Sequence, residues 1–139
     1  MSFKNILCFG TLNPDLIYFV DELPTKGGDI RSLKSSMRPG GTAINCSELI
    51  SLWKKSVQVR GNSIGNDPMG KYLVDYFKEN NINFDGLIIN QSLTPTCSIF
   101  VDSSGERTII SSGYEGLEWS NFENLNNFDS LIIDRYSIK

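Results

Sequence analysis

Short apolar segments alternate with segments of helical periodicity along much of the chain, and this alternation restricts the fold more than any other sequence feature. Uninterrupted apolar runs are typical of strands that are buried on both faces of a parallel sheet. Helices between such strands provide the crossovers that parallel pairing requires. The alternation therefore predicts an α/β domain with a parallel sheet.

The predicted elements have ordinary sequence signals. Strands are expected at residues 6–9, 57–59, 86–89 and 130–134, and helices at 43–52, 68–79 and 115–129. Asp67 and Pro68 favour a helix start, because aspartate caps free amides and proline suits the first helical position. The strand at 130–134 is expected to be buried. No following strand covers it, and an exposed apolar edge invites pairing with other chains, so we expect a marginally stable or aggregation-prone chain.

Two β-rich segments, 16–37 and 96–112, do not alternate with helices. The second contains a hairpin turn in which Gly105 suits a positive φ. We expect the two segments to pair with each other in a small separate sheet.

Composition excludes several classes of protein. The 139 residues carry 13 Lys and Arg against 16 Asp and Glu, and this net charge of −3 argues against a nucleic-acid partner. No apolar run approaches the roughly 20 residues of a membrane span. The three cysteines lie far apart and histidine is absent, which argues against disulfides, zinc sites and His-dependent nucleophiles. A reducing cytoplasm is the expected location.

Asn13 and Asp15 directly follow the first predicted strand. The Asn-Pro step favours a turn, so both side chains are expected at the carboxyl edge of the sheet, where open α/β sheets bind ligands. A carboxylate there can accept hydrogen bonds from ligand hydroxyls. The alternative is an Asx turn with a purely local role.

Gly40 and Gly41 precede the first predicted helix. Glycines at such a junction let the backbone approach a ligand, with free helix amides pointing at it. Asn45 lies on the first turn of the helix and can both donate and accept hydrogen bonds. The alternative is a Gly-rich helix entry with an exposed Asn45. Asp67 is expected to be a helix cap, and Arg107 either a surface charge or an anion contact.

In this order and spacing, the motifs resemble those of the PfkB/ribokinase family of sugar and nucleoside kinases. The matching stretches are Gly10, Asn13-Pro14-Asp15, Leu23-Pro24, Gly40 to Asn45, Gly65 to Gly70, Thr96 and Gly105 to Thr108. They cover the family's N-terminal part over nearly all of residues 1–139. The Thr-Pro-Thr-Cys-Ser and Arg-Thr stretches are closest to ketohexokinase-like members.

The resemblance implies a Rossmann-like ribokinase fold with a small β-sheet lid formed by about 16–37 and 96–112. It implies ATP-dependent phosphorylation of a sugar hydroxyl, with a lid that covers the sugar and often forms a homodimer contact. The residues that it assigns to the sugar are Asn13, Asp15, Gly40, Gly41, Thr42 and Asn45. It also places Arg107 near phosphate. Thr42 stands where ribokinase-like members often have lysine.

The sequence lacks the family's Gly-Ala-Gly-Asp stretch, which holds the anion hole and the catalytic aspartate, and its later Asn/Glu motif that organises Mg²⁺. We therefore expect no catalytic residue and no metal ligand in this chain, with ATP and Mg²⁺ serving the full-length family member. The expected role is the sugar side and the lid only. The alternatives are a non-catalytic sugar-binding module and an unrelated flavodoxin-like domain with a hairpin insertion.

Overall fold

The computed structural model describes residues 4–137, and most of its strands lie in two sheets. The first, called here the parallel sheet, contains β1 (Asn5–Gly10), β4 (Ser56–Gly61) and β9 (Ser130–Ile133) in the order β4-β1-β9. The second, the mixed sheet, contains β2 (Asn13–Phe19), β3 (Lys34–Gly40), β7 (Thr96–Val101) and β8 (Arg107–Ser112) in the order β3-β2-β7-β8. The short strands β5 (Ile64–Gly65) and β6 (Ile89–Asn90) pair with each other.

Two helices connect and cover these strands. Helix α1 (Thr42–Leu52) packs its buried face against β1 and β4, and α2 (Pro68–Glu79) places Leu73 and Phe77 in the same core. Asp67 caps α2 as predicted, with its carboxylate accepting from the Gly70 amide at 2.8 Å. Among the described residues, no helix is long and apolar enough to cross a membrane.

The chain passes from one sheet to the other through two residues, Thr11 and Leu12. The predicted turn at Asn13-Pro14-Asp15 is wrong, because these residues are the first of β2 and pair with β3. A tertiary contact fixes the real turn: the fully buried Asn62 accepts from the Leu12 amide at 2.8 Å and donates to the Leu12 carbonyl at 3.0 Å. No local pattern in the sequence indicates this contact.

The mixed sheet joins the two β-rich segments of the sequence. Strand β2 pairs with β3 in antiparallel and with β7 in parallel orientation, and β7 and β8 form an antiparallel hairpin around Gly105, which has φ +87°. Within residues 4–137, β1 pairs with β4 and β9 and with no strand of the mixed sheet. Residues 20–33 form a largely exposed loop outside the sheet.

Three predicted elements differ in the structure. Residues 115–129 form no α-helix, only a 3₁₀ turn at Leu125–Asn127, because the backbone at 118–120 bonds to the last residue of β4 and to Ser63 just after it. The strand expected at 86–89 begins at Ile89, since Gly86 adopts a φ of +83° in a turn. Strand β9 lies at the sheet edge of the described residues, and its Leu131 and Ile132 are 41% and 37% exposed.

Candidate functional site

Asn13 and Asp15 form a linked pair at the start of β2. The Asn13 side chain is buried, donates from Nδ2 to Oδ1 of Asp15 at 2.7 Å, and accepts at Oδ1 from the Tyr114 hydroxyl at 2.8 Å. Burial is the largest influence on the pKa of Asp15 and raises it, while the Asn13 bond and the nearby Arg38 lower it. The net result is a half-buried carboxyl with a raised pKa and a fixed orientation.

Gly40 and Gly41 let neighbouring groups approach the backbone more closely than any other residue type would permit. A Cβ on Gly40 would lie 2.3 Å from the Asp15 carboxylate, so the carboxylate rests directly on this glycine. Gly41 has φ +90°, and a Cβ there would lie 2.2 Å from the Thr11 carbonyl oxygen. Both positions therefore require glycine for steric reasons.

Thr11, which the sequence analysis did not single out, engages the first amides of α1. The Thr42 amide donates to Thr11 Oγ1 at 3.2 Å, and the Ala43 amide donates to the Thr11 carbonyl at 3.3 Å. The expectation of free helix amides facing a ligand is therefore wrong for these two. Thr11 itself donates from its amide and hydroxyl to Oδ2 of Asp134, at 2.8 and 3.1 Å.

Asp134 directly follows β9 and joins this strand to Thr11. Burial raises its pKa, but hydrogen bonds from Ser137 and Thr11 outweigh burial and leave the pKa below its usual value. The carboxylate is therefore charged at neutral pH and joins β9 to the turn that precedes Asn13.

Two adjoining cavities open between the mixed sheet and the start of α1. The main cavity has a volume of about 640 Å³ and the side cavity about 300 Å³. They share four lining residues: Asp15, Asn45, Ile99 and Arg107.

Most of the residues singled out in the sequence come together here. Six of the seven line the main cavity, namely Asn13, Asp15, Gly41, Thr42, Asn45 and Arg107. The seventh, Gly40, lies beneath Asp15 and supports its carboxylate. Asp15 and Asn45 are thirty positions apart in the sequence but line the same two cavities.

Tyr114 is the clearest residue that sequence reasoning missed. Its hydroxyl bonds to a side chain 101 positions away, and it lines the main cavity with Trp119 and Tyr136. Burial raises the pKa of Tyr114, which keeps the hydroxyl protonated as a donor. In β8, the alternate residues Arg107, Ile109 and Ser111 share one face and line the main cavity as well. Their alternation is the sequence feature that could have identified this part of the cavity wall.

Asp67 lies outside both cavities. Its carboxylate accepts from the Gly70 amide, from the Thr94 amide at 2.8 Å and from the Thr94 hydroxyl at 2.7 Å. Burial raises its pKa, but these hydrogen bonds outweigh burial and lower the pKa overall. Asp67 therefore joins α2 to the loop before β7.

No group of three or more Cys, Asp or Glu side chains among residues 4–137 is arranged to hold a metal ion. The polar groups that line the main cavity are hydrogen-bonding side chains, the Asp15 carboxyl and the Arg107 guanidinium.

Sequence comparison gives the family. The profile of the pfkB family carbohydrate kinase matches residues 4–138. The chain belongs to this family. The predicted resemblance is confirmed, and the alternative of an unrelated flavodoxin-like domain is excluded.

Curated members of the pfkB family resemble the chain over part of their length. Ribokinase from Dictyostelium discoideum is 30% identical over 108 residues, and ketohexokinase from Mus musculus is 32% identical over 112 residues. These matches cover 77% and 79% of this chain but 34% and 37% of the relatives. The chain therefore spans about a third of the length of these relatives.

A solved structure supports the fold. Ribokinase from Arabidopsis thaliana, complexed with ribose and ATP, matches 81% of this chain and 36% of that protein with a TM-score of 0.69 and 19% identity. The predicted ribokinase-like α/β fold is confirmed.

Proposed function

We propose that this chain provides the sugar-binding site and the lid of an ATP-dependent carbohydrate kinase that phosphorylates a sugar hydroxyl. The observation that carries the proposal is the convergence of Asp15 and Asn45, from separate elements, on the same two cavities. The Arabidopsis ribokinase structure, which holds ribose and ATP, has the same fold.

The hydrogen-bonding groups of the main cavity suit a polyol. A sugar hydroxyl both donates and accepts, so it needs fixed acceptors and fixed donors. Asn13 occupies Oδ1 of Asp15, and among residues 4–137 no donor bonds to Oδ2, which is left to accept from a sugar hydroxyl. Asn45 lines the same cavity from helix α1, and its carboxamide provides both a donor and an acceptor. Gly41 and Thr42 bring backbone to the same cavity.

The inner face of the mixed sheet, which is the face that lines the two cavities, acts as the lid. Its strands β2, β7 and β8 line both cavities, and they stand apart from the parallel sheet. Closure of a lid excludes water and strengthens the polar contacts beneath it. We further propose that the lid mediates a homodimer contact.

Phosphoryl transfer depends on positioning and on charge stabilisation around the transferred group. The family resemblance assigns the groups that would do this for Mg²⁺-ATP to a Gly-Ala-Gly-Asp stretch and a later Asn/Glu motif, which the sequence of residues 1–139 lacks. The 139 residues therefore bind a sugar without turning it over, while the whole kinase couples the sugar site to ATP.

Calorimetric titration of the chain with D-ribose and D-fructose, with a coupled assay containing Mg²⁺-ATP, tests this role. We expect sugar binding, and no phosphorylation that follows the purified chain. Asn45→Ala should weaken binding, whereas Leu52→Ala should not, because exposed Leu52 lies on the same helix and lines neither cavity. A folded chain that binds neither these sugars nor a phosphorylated or acidic sugar would contradict the proposal.

A further inference from the structure

The inner face of the mixed sheet presents three rows of side chains in register across its four strands. The first row is Arg38, Asp15, Cys97 and Ser111, the middle row is Ser36, Ile17, Ile99 and Ile109, and the outer row is Lys34, Phe19, Val101 and Arg107. Polar groups thus occupy the first row, aliphatic groups most of the second, and two cations the ends of the third.

The side cavity follows these rows outward from the sugar site. It is lined by Asp15 and Asn45 at one end and by Phe19, Val101 and Arg107 at the other. Strand geometry places the outer row about 13 Å beyond Asp15, since each residue rises about 3.3 Å. Arg107 also lines the main cavity, so its long side chain reaches from the outer row toward the sugar site.

Positive charge exceeds negative charge in the side cavity. Arg38 and Arg107 line it, and Asp15 is the carboxylate among its lining residues. Lys34 adds a cation next to the lining residue Phe19, with its Nζ 5.8 Å from the centre of the Phe19 ring. Within residues 4–137, no carboxylate lies within 4.0 Å of the charged group of Lys34, Arg38 or Arg107.

Resting on the proposed function, we infer that the side cavity binds an anionic group, a phosphate or a carboxylate, carried by the sugar that Asp15 and Asn45 hold. Arg38 lies directly opposite Asp15 on the neighbouring strand, where paired Cβ atoms are about 5 Å apart. A ligand whose hydroxyl bonds Asp15 therefore has its next substituent within reach of Arg38. A guanidinium fork matches the geometry of phosphate and carboxylate oxygens.

The apolar middle row defines how that ligand lies. Ile17 and Ile99 form an aliphatic wall between the hydroxyl-binding row and the outer cations. Such a wall packs against the carbon skeleton of the sugar and offers no competing hydrogen bond. The chain thus selects sugars with an anionic end, such as sugar phosphates or sugar acids, over their neutral counterparts.

Titration calorimetry with matched ligand pairs tests the inference. The pairs are D-fructose with its 1-phosphate and 6-phosphate, D-ribose with its 5-phosphate, and D-glucose with D-gluconate. At least one anionic member should bind about 10-fold or more tightly than its neutral partner, the effect of one hydrogen bond to a charged group. The pair that shows this preference distinguishes phosphate from carboxylate recognition.

Variants locate the effect. Arg38→Gln should abolish the preference and change the affinity for the neutral sugar by a smaller factor, because Arg38 also lowers the pKa of Asp15, and Arg38→Lys should retain part of the preference. Arg31→Gln is the matched control, since Arg31 is exposed and lines neither cavity. Circular dichroism verifies that each variant folds.

Three results would overturn the inference. Neutral sugars could bind as tightly as every anionic partner, or Arg38→Gln could leave the preference intact. Arg38→Gln could instead weaken the binding of ATP or inorganic phosphate and leave sugar-phosphate preference unchanged, which would assign the cations to the nucleotide. In the first two cases neutral-sugar binding persists and the proposed function stands, whereas a chain that binds no sugar at all contradicts both.

Discussion

Two short motifs in this chain look alike in sequence and do different things in the structure. Asn13-Pro14-Asp15 and Asn66-Asp67-Pro68 each combine Asn, Asp and Pro within three residues. The Asp67 carboxylate accepts three hydrogen bonds from its own chain. Asp15 accepts one side-chain bond, from Asn13, and lines two cavities.

The difference extends to charge. Hydrogen bonds lower the pKa of Asp67, because they stabilise its charged form, whereas burial raises the pKa of Asp15. A carboxylate that its own backbone satisfies stabilises the fold. A half-buried carboxylate that has a fixed orientation and an unbonded oxygen at a cavity can accept a hydrogen bond from a ligand. That hydrogen bond stabilises the charged form of the carboxylate.

The largest effect should come from removing the Asp15 carboxylate. Asp15→Ala should weaken sugar binding by about 10-fold to 100-fold, since the ligand hydroxyl then loses a charged acceptor in a buried site. Titration calorimetry measures this, with Asp67→Ala as the control. Equal losses of affinity in the two variants would remove the functional distinction between the motifs.

Removing the Asp67 carboxylate should reduce stability. Asp67→Ala should lower the free energy of unfolding by about 1–2 kcal/mol, the usual cost of losing a helix N-cap. Asp15→Asn should lower it less or raise it, because it removes a charge that burial disfavours. Urea unfolding followed by circular dichroism checks both values. A larger loss of stability in Asp15→Asn than in Asp67→Ala would reverse the comparison.

A smaller effect is expected at the residue that orients Asn13. Tyr114→Phe leaves the buried Oδ1 of Asn13 without its donor, so sugar affinity should fall by about 5-fold, equivalent to about 1 kcal/mol. Tyr72→Phe is the control, since the Tyr72 hydroxyl bonds the Met37 carbonyl and lines neither cavity. An unchanged sugar affinity in Tyr114→Phe would show that this hydrogen bond to Asn13 does not contribute to sugar binding.

The smallest effect is the opposite pH dependence of the two carboxyls. Asp67 has a lowered folded pKa, so the stability it contributes is present above its unfolded pKa of about 3.9 and is lost as pH falls through the folded value. Asp15 has a raised folded pKa, so its contribution is present below about 3.9 and is lost as pH rises.

Urea unfolding at neutral and acid pH measures this difference. The stability gap between wild type and Asp67→Ala should shrink in acid. The free energy of unfolding of wild type should increase relative to that of Asp15→Asn as the pH falls over the same range. Gaps that move in the same direction for both variants would contradict the assigned pKa shifts.

The sequence was sufficient where a signal is local. Apolar runs identified β1 and β4, the Asp67-Pro68 step identified the start of α2, and the glycine pair identified the entry to α1. The order of the motifs identified the family and thereby the fold. These features depend on neighbours within a few positions along the chain.

The sequence was insufficient where distant residues decide. The turn at Thr11 and Leu12 is set by Asn62 and Asp134, far along the chain, so Asn13-Pro14-Asp15 was assigned to a turn that lies two residues earlier. The apolar spacing in 115–129 indicated a helix, but Phe122 stacks on Phe9 at 4.3 Å and the nearby backbone bonds to β4. Tertiary hydrogen bonds outweighed local periodicity there.

The most direct test of the account is carboxyl-carbon NMR of Asp15 and Asp67, titrated with pH in the absence and presence of saturating D-ribose or D-fructose. Hydrogen bonds from sugar hydroxyls favour a charged carboxylate, so the pKa of Asp15 should fall when the sugar binds, and the pKa of Asp67 should stay where it is. An Asp15 pKa that is unchanged by bound sugar, or an Asp67 pKa that moves in its place, would contradict the assignment of the sugar site to Asp15.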